Sequence, residues 1–264
     1  MQKNIKTGRN KYLEDIKPYK ANIQALLKRE EAKRNAVHIK GPESAKARLQ
    51  LVDDMLNIAS NYLVLNGISL SVLKLNSDDA LNEARKYFTK ALVYMEETVT
   101  PFVDEPYSRY EEKLAEINFF DAKKRYNIIK NIGLILYLTK EAFGNSSKSM
   151  WFFVELEGRY AAVAKNILNL KTAVANTDPR AADYEPTMKH IRLIKKLLNN
   201  AADRYREKYE LSTNHSDDFN MGINFLNALK RIHNIFGEKS DAESVKKKVD
   251  TWSGKLDADQ KQKK

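Results

Sequence analysis

The chain has 264 residues, 46 Lys and Arg against 35 Asp and Glu, a formal net charge of +11, and no cysteine. The lack of cysteine excludes a disulfide scaffold, a thiol nucleophile and thiolate zinc sites. With 42% apolar residues, nine glycines and six prolines, the composition favours helix, and the length suffices to bury a core without covalent staples.

Charge is unevenly spread: residues 1–48 carry a net +8, residues 49–122 a net −7 and residues 123–264 a net +10. Such a layout suits an acidic partner at either end, or attraction between the middle and the ends. The N-terminal segment has no apolar run of the secretory-signal type, and no stretch approaches ~18 uninterrupted apolar residues. The expectation is a soluble cytoplasmic protein with no transmembrane segment.

Apolar residues recur at helical period throughout, without convincing period-two alternation. The first helix is predicted over about 9–39, bent where Pro18 removes a backbone donor and stopped at Gly41-Pro42. The second spans about 43–75. Its seam of Leu49, Val52, Leu56, Ala59, Leu63, Asn66, Leu70 and Leu73 steps by three and four. Asn66 is its one polar member, read as a register device or a hydrogen-bonded core residue. Ser77 is the expected N-cap of a third helix, with Asp78 and Asp79 in its first turn and Ala84, Phe88, Ala91 and Met95 facing inward. A loop with Pro101 and Pro106 leads to a fourth helix, for which Ser108 and Glu111 form a capping box. Asp121 is predicted to cap a fifth helix that Gly144 ends.

The sixth helix begins with Trp151-Phe152-Phe153. Phe153, Leu156, Tyr160, Val163, Ile167, Leu170 and Val174 form one stripe; Trp151, Val154, Gly158 and Ala161 lie on a neighbouring face. A helix apolar on two faces is packed on two sides. The aromatic run therefore reads as core, with Phe152, between the stripes, reaching the surface. Gly158 and Ala161-Ala162 would admit a close neighbour. The twelve-residue connection ANTDPRAADYEP is the expected boundary between two parts. A seventh helix follows over about 186–211, and an eighth over about 217–236 that Gly237 closes. A ninth, opened by a Ser240–Glu243 capping box, carries Val245, Val249, Trp252 and Leu256.

Patterns that carry chemistry are scarce. His38, His190, His215 and His233 are scattered, with no metal-ligand spacing, and neither a Gly-rich phosphate loop nor a G-x-S-x-G elbow occurs. Paired carboxylates such as Asp53-Asp54 fall at helix starts or on polar faces. The expectation is no catalytic residue, no cofactor and no metal. The leads are surfaces: Lys189, Arg192, Lys195, Lys196 and Arg204 on the seventh helix, as contacts to a partner or to nucleic acid, and Phe102, Tyr107 and Phe152 as exposed aromatic contacts. Asp203, Glu207 and Glu210 interleave with the basic residues from Arg204 to Lys208, which favours a solvated face over a phosphate-binding one.

The segment ALNEARKYFTKALVYMEE places Ala84, Phe88 and Ala91 at the spacing of the second helix of a tetratricopeptide repeat. LKRIHNIFGEKSDAESVKKKV places Leu229, Gly237 and Ala242 at matching offsets. Both resemble degenerate tetratricopeptide-like hairpins, which implies a partner-binding scaffold. MWFFVELEGRYAAVAKNILNLK with AADRYREKYELSTN is similar to uncharacterised all-helical proteins of spirochaetes, a resemblance that implies neither an activity nor a site.

The prediction is an all-α fold: eight or nine helices in antiparallel hairpins, as a bundle or short helical-repeat array. Residues 1–175 form an N-terminal bundle, 176–258 C-terminal hairpins and 259–264 a frayed tail. The expected role is a non-catalytic scaffold or adaptor that binds another protein. The alternatives are a nucleic-acid-binding protein using basic helix faces and an enzyme with an unrecognised site. An exposed apolar groove would mark the first, a continuous basic stripe the second, and a closed polar pocket with perturbed carboxylates or His the third.

Overall fold

Helical periodicity without strand alternation has its direct outcome in the computed structural model, which describes residues 2–39, 41–144 and 147–262: among them every regular element is helical. The chain divides into two compact units. The first comprises Met1–Thr98 and Ile128–Ser149, the second Val99–Asn127 and Met150–Lys264. The predicted boundary at 175/176 lies inside the second unit, where Leu170 and Ala173 before it and Thr187 and His190 after it are all buried.

The first unit opens with α1 (Gln2–Asp15) and α2 (Lys17–Lys33), two helices where one bent helix is predicted. Pro18 sits in the first turn of α2, where its missing N–H is harmless; within a continuous helix it would break the ladder. Gly41, at φ +118°, and Pro42 then start α3 (Pro42–Leu73), which pairs with α4 (Asp78–Thr98). Side chains of α3 hold the turn between them. Asn66 Oδ1 accepts from the Ser77 N–H at 2.7 Å, and the Ser69 hydroxyl donates to the Leu75 carbonyl at 2.8 Å. Asn66 is thus the hydrogen-bonded core residue its seam position suggests. Leu49, Val52, Leu56 and Ala59 are buried, as are Ala84, Phe88, Ala91 and Met95 of α4. Further along the seam burial fails, and Leu70 is 49% exposed. Residues 128–143 of α6 (Ala122–Phe143) complete this unit, and Gly144, at φ +67°, ends that helix.

The second unit contains α5 (Tyr107–Glu116), the start of α6, most of α7 (Ser147–Asn166), α8 (Leu170–Ala175), α9 (Tyr184–Lys208), α10 (Ser216–Ile235) and α11 (Lys239–Gln262). Neither predicted Ser–Glu capping box forms. Pro106, with extended ψ, is the N-cap of α5, and α11 starts at Lys239, so Ser108 and Ser240 lie inside helices. The sixth predicted helix is cut in two. Asn169 turns its side chain onto the N–H groups of Lys171 and Thr172, caps α8 and breaks the ladder after Asn166. A π turn at Tyr209–Thr213 ends the α9 run, and Tyr209 donates its hydroxyl to Asp259 at 2.8 Å. Asp259 is therefore anchored and α11 continues to Gln262, where a frayed tail is predicted from 259; residues 263 and 264 lie outside the described residues.

Of the aromatic run, Phe153 is buried and both Trp151 and Phe152 are half-buried, so the run is core without a fully exposed member. Gly158 does admit a close neighbour. A Cβ there would stand 2.7 Å from a ring carbon of Tyr205, whose ring is itself stacked on Phe225 with centroids 5.6 Å apart. Gly158→Ala should lower stability by up to about 2 kcal/mol, because overpacking of roughly 1–3 kcal/mol outweighs the helix-propensity gain of about 1 kcal/mol. Gly254 of α11 has no atom within 4 Å of the same position. Gly254→Ala should therefore raise stability by up to about 1 kcal/mol, and paired urea titrations read both signs.

Candidate functional site

Two concave features stand out, one in each unit. In the second unit the end of α5, the start of α6, the α7–α8 break and the first turns of α9 surround a polar cavity of about 320 Å3. Arg125 forms one wall. It is buried and donates from Nε to the Phe120 carbonyl at 2.7 Å, from Nη1 to Ile167 at 2.8 Å and from Nη2 to Ile117 at 3.0 Å. One guanidinium thus satisfies carbonyls at the ends of two helices. Among the described residues no carboxylate pairs with it, and burial pulls its pKa down to about 10. His190 forms another wall. Burial pulls its pKa down to about 4, so the imidazole is neutral at ordinary pH. Its Nε2 lies 2.9 Å from the Ala164 carbonyl, an acceptor, so Nε2 carries the proton and Nδ1 is left as an acceptor. Thr187, one helical turn earlier, also lines the cavity. Asp121 and Asp183 contribute carboxylates, the first held below the usual range by the Lys124 N–H.

In the first unit the second half of α3 and the end of α6 leave a mainly apolar groove of about 660 Å3, lined among others by Leu63, Val64, Leu70, Leu138 and Phe143. Val64, Leu70 and Leu138 are exposed, as are Leu134 and Tyr137 on the same helix as Leu138. Gly67 also lines the groove, and a Cβ on it would meet nothing within 4 Å. Among the described residues α3 is long and apolar enough, by length and composition, to cross a membrane. The predicted absence of any such segment rests on polar interruptions such as Asn66, which the fold uses to hold the α3–α4 turn.

The predicted basic contacts fall on α9, where carboxylates meet three of them. Lys189 pairs with Glu185, Lys195 with Glu238 and Arg204 with Glu207, the last at 2.6 Å. Arg192 and Lys196 are exposed and have no ion pair among the described residues. The basic stripe is therefore interrupted. Of the aromatic contacts, Phe102 is 59% exposed. Its loop is pinned from beneath: Asn166 Nδ2 donates to the carbonyls of Thr100 and Phe102, and Lys165 Nζ to that of Val103. Tyr107 is not a free contact. It is half-buried, its hydroxyl donating to Asn169 at 2.9 Å; Phe152 is half-buried as well.

His233, Glu238 and Asp241 bring one potential metal-ligand atom each to within 4.8 Å of one another, a grouping that only the α10–α11 turn assembles. Lys195 donates to both oxygens of Glu238, so an ammonium already stands at the carboxylate a metal would need. Arg125, Thr187 and His190 are the cavity residues that reading the sequence misses.

These features define an all-helical protein of two compact units that carries an apolar groove in one and a polar cavity in the other. The chain belongs to the TP0443 family, whose model matches residues 8–260. No curated protein and no solved structure matches it.

Proposed function

We propose that the protein is a non-catalytic, cytoplasmic helical scaffold that binds another protein, and that the groove between α3 and α6 receives an amphipathic helix of that partner. The exposed apolar lining of the groove carries this reading. Leu63, Gly67 and Leu70 follow one another at i, i+4 and i+7 on α3, and with Leu138 of α6 they offer a surface into which a third helix packs. A contiguous exposed patch of this kind is uncommon on a surface that meets only water. The nucleic-acid alternative is weaker, because phosphates would have to displace Glu185, Glu238 and Glu207 from Lys189, Lys195 and Arg204. The tetratricopeptide comparison holds for antiparallel pairing alone: α3 has 32 residues, close to the roughly 34 of a whole repeat.

A photo-crosslinking residue at Leu70 or Leu138 should give one discrete protein adduct in cells. The same residue at Leu211, exposed in the second unit, should give none. Gly67→Trp fills the groove without meeting any protein atom at its Cβ and should abolish the adduct while leaving the helical circular dichroism intact. Equal labelling at all three positions, or binding to lipid vesicles that Gly67→Trp removes, would exclude a specific protein partner.

A further inference from the structure

The cavity in the second unit contains polar side chains that the fold buries and leaves incomplete. Thr187 and His190 are each 1% exposed, and both line it. Three residues apart on α9, they present their side chains to the same side, with Cβ atoms roughly 5–6 Å apart. His190 uses Nε2 on Ala164 and leaves Nδ1 open. No hydrogen bond engages the Thr187 hydroxyl among the described residues, although the backbone N–H of Thr187 is bonded to Asp183. Arg125 uses three of the five donors a guanidinium has. The bonding capacity left at His190 Nδ1, at the Thr187 hydroxyl and on the Arg125 guanidinium converges on one space, and an occupant with matching donors and acceptors would use it. The volume, about 320 Å3, is at the small end of ligand pockets.

The charges and hydrogen-bonding roles select the occupant. An acceptor at His190 Nδ1 requires a ligand that donates, which a fully ionised anion cannot do and hydrogen phosphate does only through its P–OH. Asp121 and Asp183 in the lining repel an anion as well. A cation is opposed by Arg125, which has no carboxylate partner among the described residues. A neutral hydroxyl meets every demand, since it donates to an imidazole nitrogen and accepts from a hydroxyl or a guanidinium. Adjacent hydroxyls on one small ring suit two side chains one helical turn apart. We propose that the second unit binds a neutral polyhydroxylated small molecule, of monosaccharide or cyclic-polyol size, with hydroxyls on His190 Nδ1, Thr187 Oγ1 and the free N–H groups of Arg125. This site is independent of the groove in the first unit.

The full chain, labelled with nitrogen-15 at histidine, is titrated separately with myo-inositol, D-glucose and inorganic phosphate. The expected result is a saturable shift of His190 Nδ1 with at least one of the two neutral compounds and none with phosphate. Thr187→Val keeps the side-chain shape, removes the hydroxyl and should weaken binding at least about tenfold. The wild-type titration stands by itself should that variant not fold. Three results would overturn the proposal: no saturable shift with either neutral compound up to its solubility limit, a response to phosphate alone, or unchanged affinity in a folded Thr187→Val.

Discussion

Replacing Arg125 with methionine is expected to lower the stability of the second unit by about 3–5 kcal/mol, well beyond the loss expected for Gly158→Ala. Methionine retains most of the apolar stem of the buried arginine. It leaves the carbonyls of Phe120 and Ile167 without the donors that now reach them, and that of Ile117 with the Phe120 N–H alone. Each bare buried carbonyl costs roughly 1–3 kcal/mol, reduced where water from the adjoining cavity can reach it. Arg125→Lys should recover less than half of the loss. An ammonium keeps the charge but cannot spread three donors over carbonyls at the ends of two helices. Both tryptophans, Trp151 and Trp252, belong to the second unit. Tryptophan fluorescence during urea unfolding therefore follows the unit in which Arg125 acts, whatever the first unit does. A loss below about 1 kcal/mol for Arg125→Met would mean that the three hydrogen bonds hold no structure that water cannot replace.

The same residue shows what can and cannot be read in the chain. Arg125, Ile128, Ile129 and Ile132 step by three, one and three along one helical face, and all four are buried. The period alone places Arg125 with the isoleucines, yet within the run Lys123-Lys124-Arg125 it looks like one more solvated cation. Thr187 and His190 likewise precede Ile191, Ile194 and Leu198 on the buried stripe of α9. A polar residue at a core position is a legible anomaly. What it bonds to is not, because the Ile167 carbonyl is 42 residues from Arg125 and is exposed only by the Asn169 cap that interrupts the ladder. The groove was hidden for the opposite reason. Leu63 and Leu70 continue the seam of α3 without a break in period, and period tells which face is apolar, not whether another element covers it. The element assignments, by contrast, depend on local chemistry, and the positive φ of Gly144 and Gly237 stops α6 and α10 at the predicted places. The Ser–Glu pairs failed because a capping box requires only a spacing, whereas the backbone chooses its first turn by packing.

Raising the pH from about 7.5 to about 9.5 should stabilise the second unit by roughly 2 kcal/mol, and Lys165→Met should flatten that rise. Lys165 lies in the core at the end of α7. Its ammonium donates to the Val103 carbonyl and to Asn166 Oδ1 at 2.8 Å each, and it stands 5.5 Å from the Tyr110 ring centre. No carboxylate pairs with it among the described residues. Burial, with a smaller contribution from Arg231, pulls its pKa from 10.5 down to about 8. In the unfolded chain the lysine keeps its proton until about pH 10.5, whereas in the fold it releases it near 8. Across that interval the unfolded state binds more protons, so stability rises with pH, steepest at about 1.4 kcal/mol per unit. The gain ends near pH 10, where tyrosines begin to ionise in the unfolded chain while burial holds those of Tyr110 and Tyr160 protonated in the fold, which reverses the slope. His190 does not interfere, since both its folded value and its unfolded value of about 6.5 lie below the window. Denaturant midpoints of wild type and Lys165→Met, taken by tryptophan fluorescence at each pH, separate the slope from any constant offset caused by the two lost hydrogen bonds. A flat wild-type profile would mean that the ammonium reaches water despite its burial. The carbonyls of Thr100 and Phe102 would then be held by Asn166 alone and that of Val103 would lose its donor, so the exposed Phe102 loop would lose the rigidity that a buried, hydrogen-bonded lysine confers on it.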